Sequence, residues 1–153
     1  MDIRNFSFGG AAAVVTSLGL IVGFDEASAS RATILGGLLI VALADNLTDS
    51  LSMHMYQESE RLDTRKAFHA TVTNFATRLC LSLSFVFLMV VLPLHMAVVA
   101  SLIWGVVLLM GLTYALAKAR NRPVVSELLK HLAAAAAVLI ASKAIGHFIV
   151  SQS

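Results

Sequence analysis

Apolar residues form five long runs along the chain, covering about 7–24, 32–55, 75–94, 96–117 and 127–149. Each run is close to the ~20 residues that a helix needs to cross a bilayer. The runs are unbroken, whereas the strands of a membrane barrel alternate apolar and polar residues. The pattern therefore predicts an all-α polytopic membrane protein, with one domain of five transmembrane helices spanning residues 1–153.

The first run has two interpretations. Arg4, an apolar run and the small residues of "ASASRA" are typical of a signal peptide with its cleavage site. The same run contains "GG" and "GLIVG", which suit close helix packing. We therefore expect it to be the first span, with Gly9, Gly10, Gly19 and Gly23 letting the first spans pack closely beside the functional site.

The longest polar stretch, "YQESERLDTRKAFHATVTN" at 56–74, separates the second and third runs. Its charges at Glu58, Arg61 and Arg65 recur at helical spacing, so we expect the second helix to continue into water as a short cytoplasmic segment. Later connections are marked by proline. Pro93 predicts a tight turn, and Pro123 predicts a break after which Ser126 and Glu127 begin the last helix.

Charge sets the expected orientation. Only 13% of the residues are charged, against about a quarter in soluble domains. The net charge of +2 comes from basic residues clustered in short connections, which argues for membrane topology and against nucleic-acid binding. A cytoplasmic N-terminus and an outer C-terminus leave Arg31 alone outside and place the following residues inside: Arg4, Arg61, Arg65, Lys66, Lys118, Arg120, Arg122 and Lys130.

An odd number of spans excludes a simple pair of inverted repeats within one chain. Two-fold symmetry, if transport requires it, must then come from a homodimer. Cys80 is the single cysteine, so an intramolecular disulfide and a CxxC metal site are both excluded. The sequence contains no HExxH, phosphate-binding glycine loop or nucleophile–base pair, so we expect no enzyme.

A stripe of polar residues interrupts the second span. Its members recur at steps of three and four residues and share one helical face: Asp45, Asp49, Ser52, Met53 and Tyr56. One central aspartate costs about 2.5–3.5 kcal/mol on insertion scales, so the stripe is expected to face protein or water. We expect Asn46, Ser52 and Tyr56 to line a pathway or relay protons.

Two carboxylates one turn apart repel each other, which favours a shared proton or a bound cation. Carboxylate oxygens combined with a thioether suit a first-row divalent metal such as Fe²⁺ or Mn²⁺. The predicted metal ligands are therefore Asp45, Asp49 and Met53. The metal is expected to be transported cargo, with no permanent cofactor. His54 points about 100° away from Met53 and is an uncertain ligand.

The alternative is a purely structural ion pair between the stripe and a basic residue. Lys143 is the candidate in a predicted span interior, but it lies about 27 Å from the cytoplasmic end of its span, against roughly 12–18 Å for Asp45. Lys143 is expected to extend to the outer surface, with His147 one turn on. Arg78 lies at the start of the predicted third span and is interpreted as a topology anchor.

Three stretches resemble the vacuolar iron transporter family: "FGGAAAVVTSLGLIVGF" at 8–24, "ADNLTDSLSM" at 44–53, and "AKARNRPVVSELLKHLAAAAAVLIASKAIG" at 117–146. The resemblance implies a dimeric, proton-coupled exporter of Fe²⁺ or Mn²⁺ whose pathway lies between the first two spans. Asp45 matches a position where the family often has glutamate, and Met53 matches the methionine of its "SM" pair. Asp49 matches a small-or-acidic position one turn earlier.

The chain also departs from the family pattern. Ala12 stands where the first span usually carries an aspartate, and Tyr56 and Gln57 replace a glycine and an acidic residue. The glutamate-rich cytoplasmic helices are reduced to 56–74. The expected function is metal export from the cytoplasm across a prokaryotic inner membrane. A membrane module that kept the fold for assembly or sensing, and transport of protons or another cation, are the alternatives.

Overall fold

The computed structural model describes residues 3–59 and 64–152, with side chains for 9–58, Arg65 and 67–152. Five α-helices make up this part of the chain: α1 (Ile3–Glu26), α2 (Arg31–Ser59), α3 (Thr64–Val91), α4 (Leu94–Ala119) and α5 (Val124–Ser151). Each is long and apolar enough to cross a membrane. The all-α class and the five helices are confirmed, and they suggest an integral membrane protein that contacts the lipid bilayer.

The helices around the polar stretch 56–74 are longer than predicted. α2 continues to Ser59, as its charge spacing indicates, but α3 already begins at Thr64 and not at 75. The stretch therefore contains the end of one helix and the beginning of the next, and the third helix starts eleven residues earlier than the predicted span 75–94. Tertiary packing explains the difference, because α3 buries polar residues that hydropathy alone assigns to water. Arg61 lies outside the described residues.

Two prolines begin helices as N-caps. Pro93 (φ −55°, ψ 147°) precedes α4, and Pro123 (φ −63°, ψ 115°) precedes α5. The Pro123 carbonyl accepts the amide hydrogen of Glu127 at 3.3 Å, so α5 starts at Val124. The predicted start at Ser126 and Glu127 was two residues late, because the proline itself supplies the first carbonyl of the helix.

α1 occupies the middle of the bundle and packs against each of the other four helices. α2 packs mainly against α3, and α4 and α5 cover the opposite side of α1. Every helix contributes to the core, and α1 and α4 contribute most of its residues: Val14, Leu18, Ile21, Ile34, Leu38, Phe85, Met89, Ala97, Val98, Leu109, Leu112 and Ala135. Met89 is fully buried in this core.

Arg31, at the beginning of α2, forms hydrogen bonds with backbone carbonyls at the end of α3. Its Nε donates to the carbonyl of Met89 at 2.7 Å, and its Nη2 donates to Val90 at 2.9 Å and to Leu92. These are carbonyls that the end of a helix leaves without intrahelical partners. The guanidinium therefore caps α3 and fixes the α2–α3 pair at the end remote from Ser59.

Candidate functional site

The predicted polar stripe borders the face of α2 that packs on α3. The buried positions of α2 recur at steps of four and seven residues, and they are apolar at first and polar from Asn46 onwards: Ile34, Leu38, Ala42, Asn46, Ser50 and Gln57. Asp45 and Asp49 lie beside this face, and their side chains are 45% and 39% exposed. Both aspartates therefore reach the α2–α3 interface while keeping part of each carboxyl group on the surface of the chain.

Arg78 of α3 meets both aspartates. Its Nη2 lies 2.7 Å from Asp45 Oδ2, and its Nη1 lies 3.2 Å from Asp49 Oδ2. The Arg78 side chain is only 3% exposed, and its Nε donates to Asn46 Oδ1 at 2.8 Å. Nη1 also donates to the Gly9 carbonyl of α1 at 3.2 Å. One guanidinium thus joins α1, α2 and α3, because its planar group directs several N–H donors toward acceptors on different helices.

The interpretation of Arg78 as a topology anchor was therefore wrong, and so was the view that Lys143 is the candidate partner for the stripe. Because α3 begins at Thr64, Arg78 lies 14 residues into the helix, or about 21 Å. Asn46 lies 13 residues before the end of α2. In an antiparallel hairpin, two positions at nearly equal distances from the turn face each other. These equal distances are the sequence signal that could have predicted the contact between Asn46 and Arg78.

The guanidinium engages one oxygen of each carboxylate. All contacts of Asp45 and Asp49 with Arg78, and the 3.2 Å hydrogen bond that Asn74 Nδ2 donates to Asp49, use the Oδ2 atoms. Among the described residues, no hydrogen bond to either Oδ1 atom is formed. We call the three charged side chains, Asp45, Asp49 and Arg78, the charged centre. Its formal charge is −1 when both aspartates are ionised.

Gly9 makes the close approach of α1 to the charged centre possible. A Cβ built on Gly9 would overlap Asn74 Oδ1 and lie 3.0 Å from Asn74 Cγ and 3.2 Å from Arg78 Cδ. A glycine is therefore needed where the backbone carbonyl of α1 accepts from the guanidinium. The prediction that Gly9 packs beside the functional residues fits this arrangement.

The other glycines of α1 pack elsewhere. Gly10 faces Leu81 and Leu112, while Gly19 and Gly23 approach Ser142 of α5. These close contacts lie on other faces of α1, because successive turns of a helix face different neighbours in the bundle. Ala12, where the family pattern has an aspartate, lines a cavity of about 270 Å³ with residues of α4 and α5, including His131.

The remaining stripe residues make few contacts with the charged centre. Met53 is partly buried, whereas Ser52 and Tyr56 are exposed. The Ser52 hydroxyl donates to the Thr48 carbonyl of its own helix at 2.9 Å. His54 lies 3.4 Å from both Glu58 and the Thr71 hydroxyl of α3. Among the predicted pathway residues, Asn46 is the one that accepts a hydrogen bond from Arg78.

A second polar cluster joins α1 and α5 near the other end of the bundle. Lys143 Nζ and His147 Nδ1 lie 3.7 and 3.6 Å from the carboxylate of Glu26. Lys143 and His147 are 66% and 77% exposed, so the predicted extension of Lys143 to the surface, with His147 one turn on, agrees with the structure. Exposed pairs of this kind contribute little stability.

The described residues contain no group of three or more His, Cys, Asp or Glu side chains placed to hold a metal ion. Asp45, Asp49 and Met53, two aspartates and a methionine, stay predicted ligands. No family model, curated protein or solved structure matches this chain.

Proposed function

We propose that the protein is a membrane transporter that exchanges protons for a cation at the charged centre. The observation that carries this proposal is that Arg78 holds only the Oδ2 atoms of Asp45 and Asp49. Two carboxylate oxygens stay available on partly exposed side chains in helices of spanning length. Ionisable groups in such helices are costly and are typical of ion and proton pathways.

Charge balance indicates what the centre can bind. One guanidinium and two carboxylates leave a single negative charge, which one proton or one monovalent cation neutralises. A divalent cation at one centre would leave an uncompensated positive charge in a low-dielectric region, which is unfavourable. In a dimer, two charged centres facing each other across a two-fold axis have a combined formal charge of −2. One divalent cation or two protons neutralise that charge.

Fe²⁺ and Mn²⁺ are the substrates that we propose for such a homodimer. Met53 lies one turn beyond Asp49 on α2 and offers a thioether that magnesium and calcium do not use. The resemblance to vacuolar iron transporters supports the same substrates and an export direction. The charge count gives the proposed coupling, in which one divalent cation moves against two protons.

Flux measurements in proteoliposomes test this function. Purified protein is reconstituted with a pH gradient, and Mn²⁺ or Fe²⁺ uptake is followed together with proton movement. We expect uptake with two protons per metal ion, and at least a tenfold loss in Asp45→Asn and Asp49→Asn. Glu127→Gln, which removes a carboxylate paired with Lys130 on α5, is the matched control and should retain flux. Undiminished flux in both aspartate variants would rule the proposal out.

A second candidate is a membrane module for assembly or sensing that transports nothing. The observation favouring it is that Arg78 already pairs with both aspartates and joins three helices, as a purely structural ion-pair network does. Thermal unfolding with Fe²⁺, Mn²⁺, Zn²⁺ and Mg²⁺ separates the two candidates. The transporter should be stabilised by Fe²⁺ or Mn²⁺ and lose that response in Asp45→Asn, whereas the module should respond to none of the metals.

A further inference from the structure

Polar side chains continue from the charged centre along the contact between α2 and α3 as far as the Ser59 end of α2. Asn74 faces Asp49 near the centre, and Thr71 faces His54 about one turn further. Gln57 of α2 is buried one turn beyond His54. We call the buried polar residues Ser50, Gln57 and Asn74 the polar seam. Its members lie on the side of the charged centre that leads to Ser59 and Thr64.

Each member of the polar seam has a buried polar atom without a partner. Ser50, Gln57 and Asn74 are 4%, 9% and 0% exposed. Ser50 Oγ, Gln57 Oε1 and Asn74 Oδ1 form no hydrogen bond with described residues. A buried polar group without a partner costs about 1–3 kcal/mol, and lipid chains offer no donor or acceptor to replace it. Ser50 and Gln57 belong to the buried face of α2, and Asn74 Oδ1 lies where α3 meets Gly9 of α1 beside the charged centre, so all three atoms are unfavourable if no water reaches them.

We propose that the polar seam is a water-filled route that connects the Ser59 end of α2 with Asp49. Seven residues separate Ser50 from Gln57, a distance of about 10 Å along the helix. Waters placed at one-turn intervals would each find several polar partners, including Thr71 and His54 on the way. The unpartnered atoms are closed to solvent in the structure, so water enters through small separations of α2 from α3.

This inference deepens the proposed function, since it names the route by which protons or a cation reach the charged centre from one side of the membrane. The chemistry of the seam suits that cargo. Amide and hydroxyl oxygens solvate cations and relay protons through water. The surrounding surface of α2 differs sharply, because Leu43, Leu47 and Leu51 are more than half exposed and present only hydrocarbon.

Accessibility of single cysteines to Ag⁺ tests the route, because Ag⁺ is small, charged and thiol-reactive. In a Cys80→Ser background, Ser50→Cys and Gln57→Cys are compared with Leu51→Cys in oriented membrane vesicles. Leu51 is 58% exposed and lies one residue nearer to the Ser59 end than Ser50, which is 4% exposed. If reaction followed only the exposed fraction of each residue and its distance from the Ser59 end, Leu51→Cys would react faster. If the seam is filled with water, Ser50→Cys reacts faster.

We expect Ser50→Cys and Gln57→Cys to react at least tenfold faster than Leu51→Cys, and only when Ag⁺ is added on the side where Glu58→Cys reacts. Unreacted thiol is counted by maleimide labelling after denaturation, and unfolding midpoints confirm that each variant folds. Reaction of both seam cysteines at or below the rate of Leu51→Cys would overturn the inference. Flux in the wild type decides the proposed function separately, so either idea can fail while the other stands.

Discussion

Replacing Arg78 by leucine should destabilise the protein more than any substitution on the surface of α3. The change keeps an apolar side chain in a position that is 3% exposed, but it leaves two carboxylates one turn apart without their cation. Removing one partner of a buried ion pair costs about 3–5 kcal/mol. Since Asp45 and Asp49 are 45% and 39% exposed, the lower end applies, and we expect a loss of about 3 kcal/mol.

The same geometry predicts a rescue. Combining Arg78→Leu with Asp45→Asn and Asp49→Asn removes every charge from the centre, so the penalty for uncompensated carboxylates disappears. We expect the triple variant to recover about 2 kcal/mol, because replacing a whole buried ionic group by neutral side chains is often close to neutral. Arg78→Lys should recover less, since an ammonium group cannot match acceptors on three helices with a planar fork.

Reversible unfolding in detergent–lipid micelles measures these differences in the free energy of unfolding. Cys80→Leu is the matched control, because Cys80 is exposed two residues away on the same helix and should change stability by less than about 0.5 kcal/mol. A loss below about 1 kcal/mol in Arg78→Leu would show that the guanidinium does not hold the helices together. A triple variant no more stable than Arg78→Leu would refute the charge argument.

Three further predictions concern backbone contacts and a helix cap. Gly9→Ala should lower the unfolding midpoint, because the added Cβ would overlap a side-chain oxygen of α3. Gly36→Ala is its control: Gly36 has open space around it, so this substitution should raise stability by a few tenths to about 1 kcal/mol. Gly146→Ala should destabilise by more than about 1 kcal/mol, since its Cβ would overlap backbone of α1, while Gly111→Ala, also in open space, serves as its control. Arg31→Ala should cost about 1–3 kcal/mol by uncapping the end of α3, and unchanged hydrogen exchange there would contradict it.

Hydropathy predicted the five helices because each needs a long apolar run to cross a membrane, and that requirement is visible residue by residue. It misplaced the start of α3 because the first turns of that helix carry polar residues, and one of these, Asn74, is buried against Asp49 of α2 rather than exposed to water. Whether a polar side chain is buried depends on the residue that it contacts on another helix. A hydropathy scale scores each helix separately and contains no information on that residue. The boundary error and the missed ion pair therefore have one cause.

Helical periodicity correctly placed Asp45 and Asp49 on one face of α2, but it could not show which oxygen of each carboxylate contacts Arg78. That distinction depends on where Arg78 lies across the interface. Asn46 illustrates the same point, since the sequence assigned it to a pathway and the structure shows it accepting from the guanidinium. Contacts between helices are set by rotation about each axis, which the spacing along one helix leaves undetermined.

The pairing of Asp45 with Arg78 also affects how the chain enters the membrane during synthesis. The two residues are 33 positions apart, so at about 5–20 residues per second the arginine emerges roughly 2–7 s after the aspartate. During that interval α2 carries two carboxylates that no guanidinium neutralises. Insertion of α2 together with α3 as one hairpin avoids this exposure. We therefore expect α2 and α3 to enter the membrane as one hairpin.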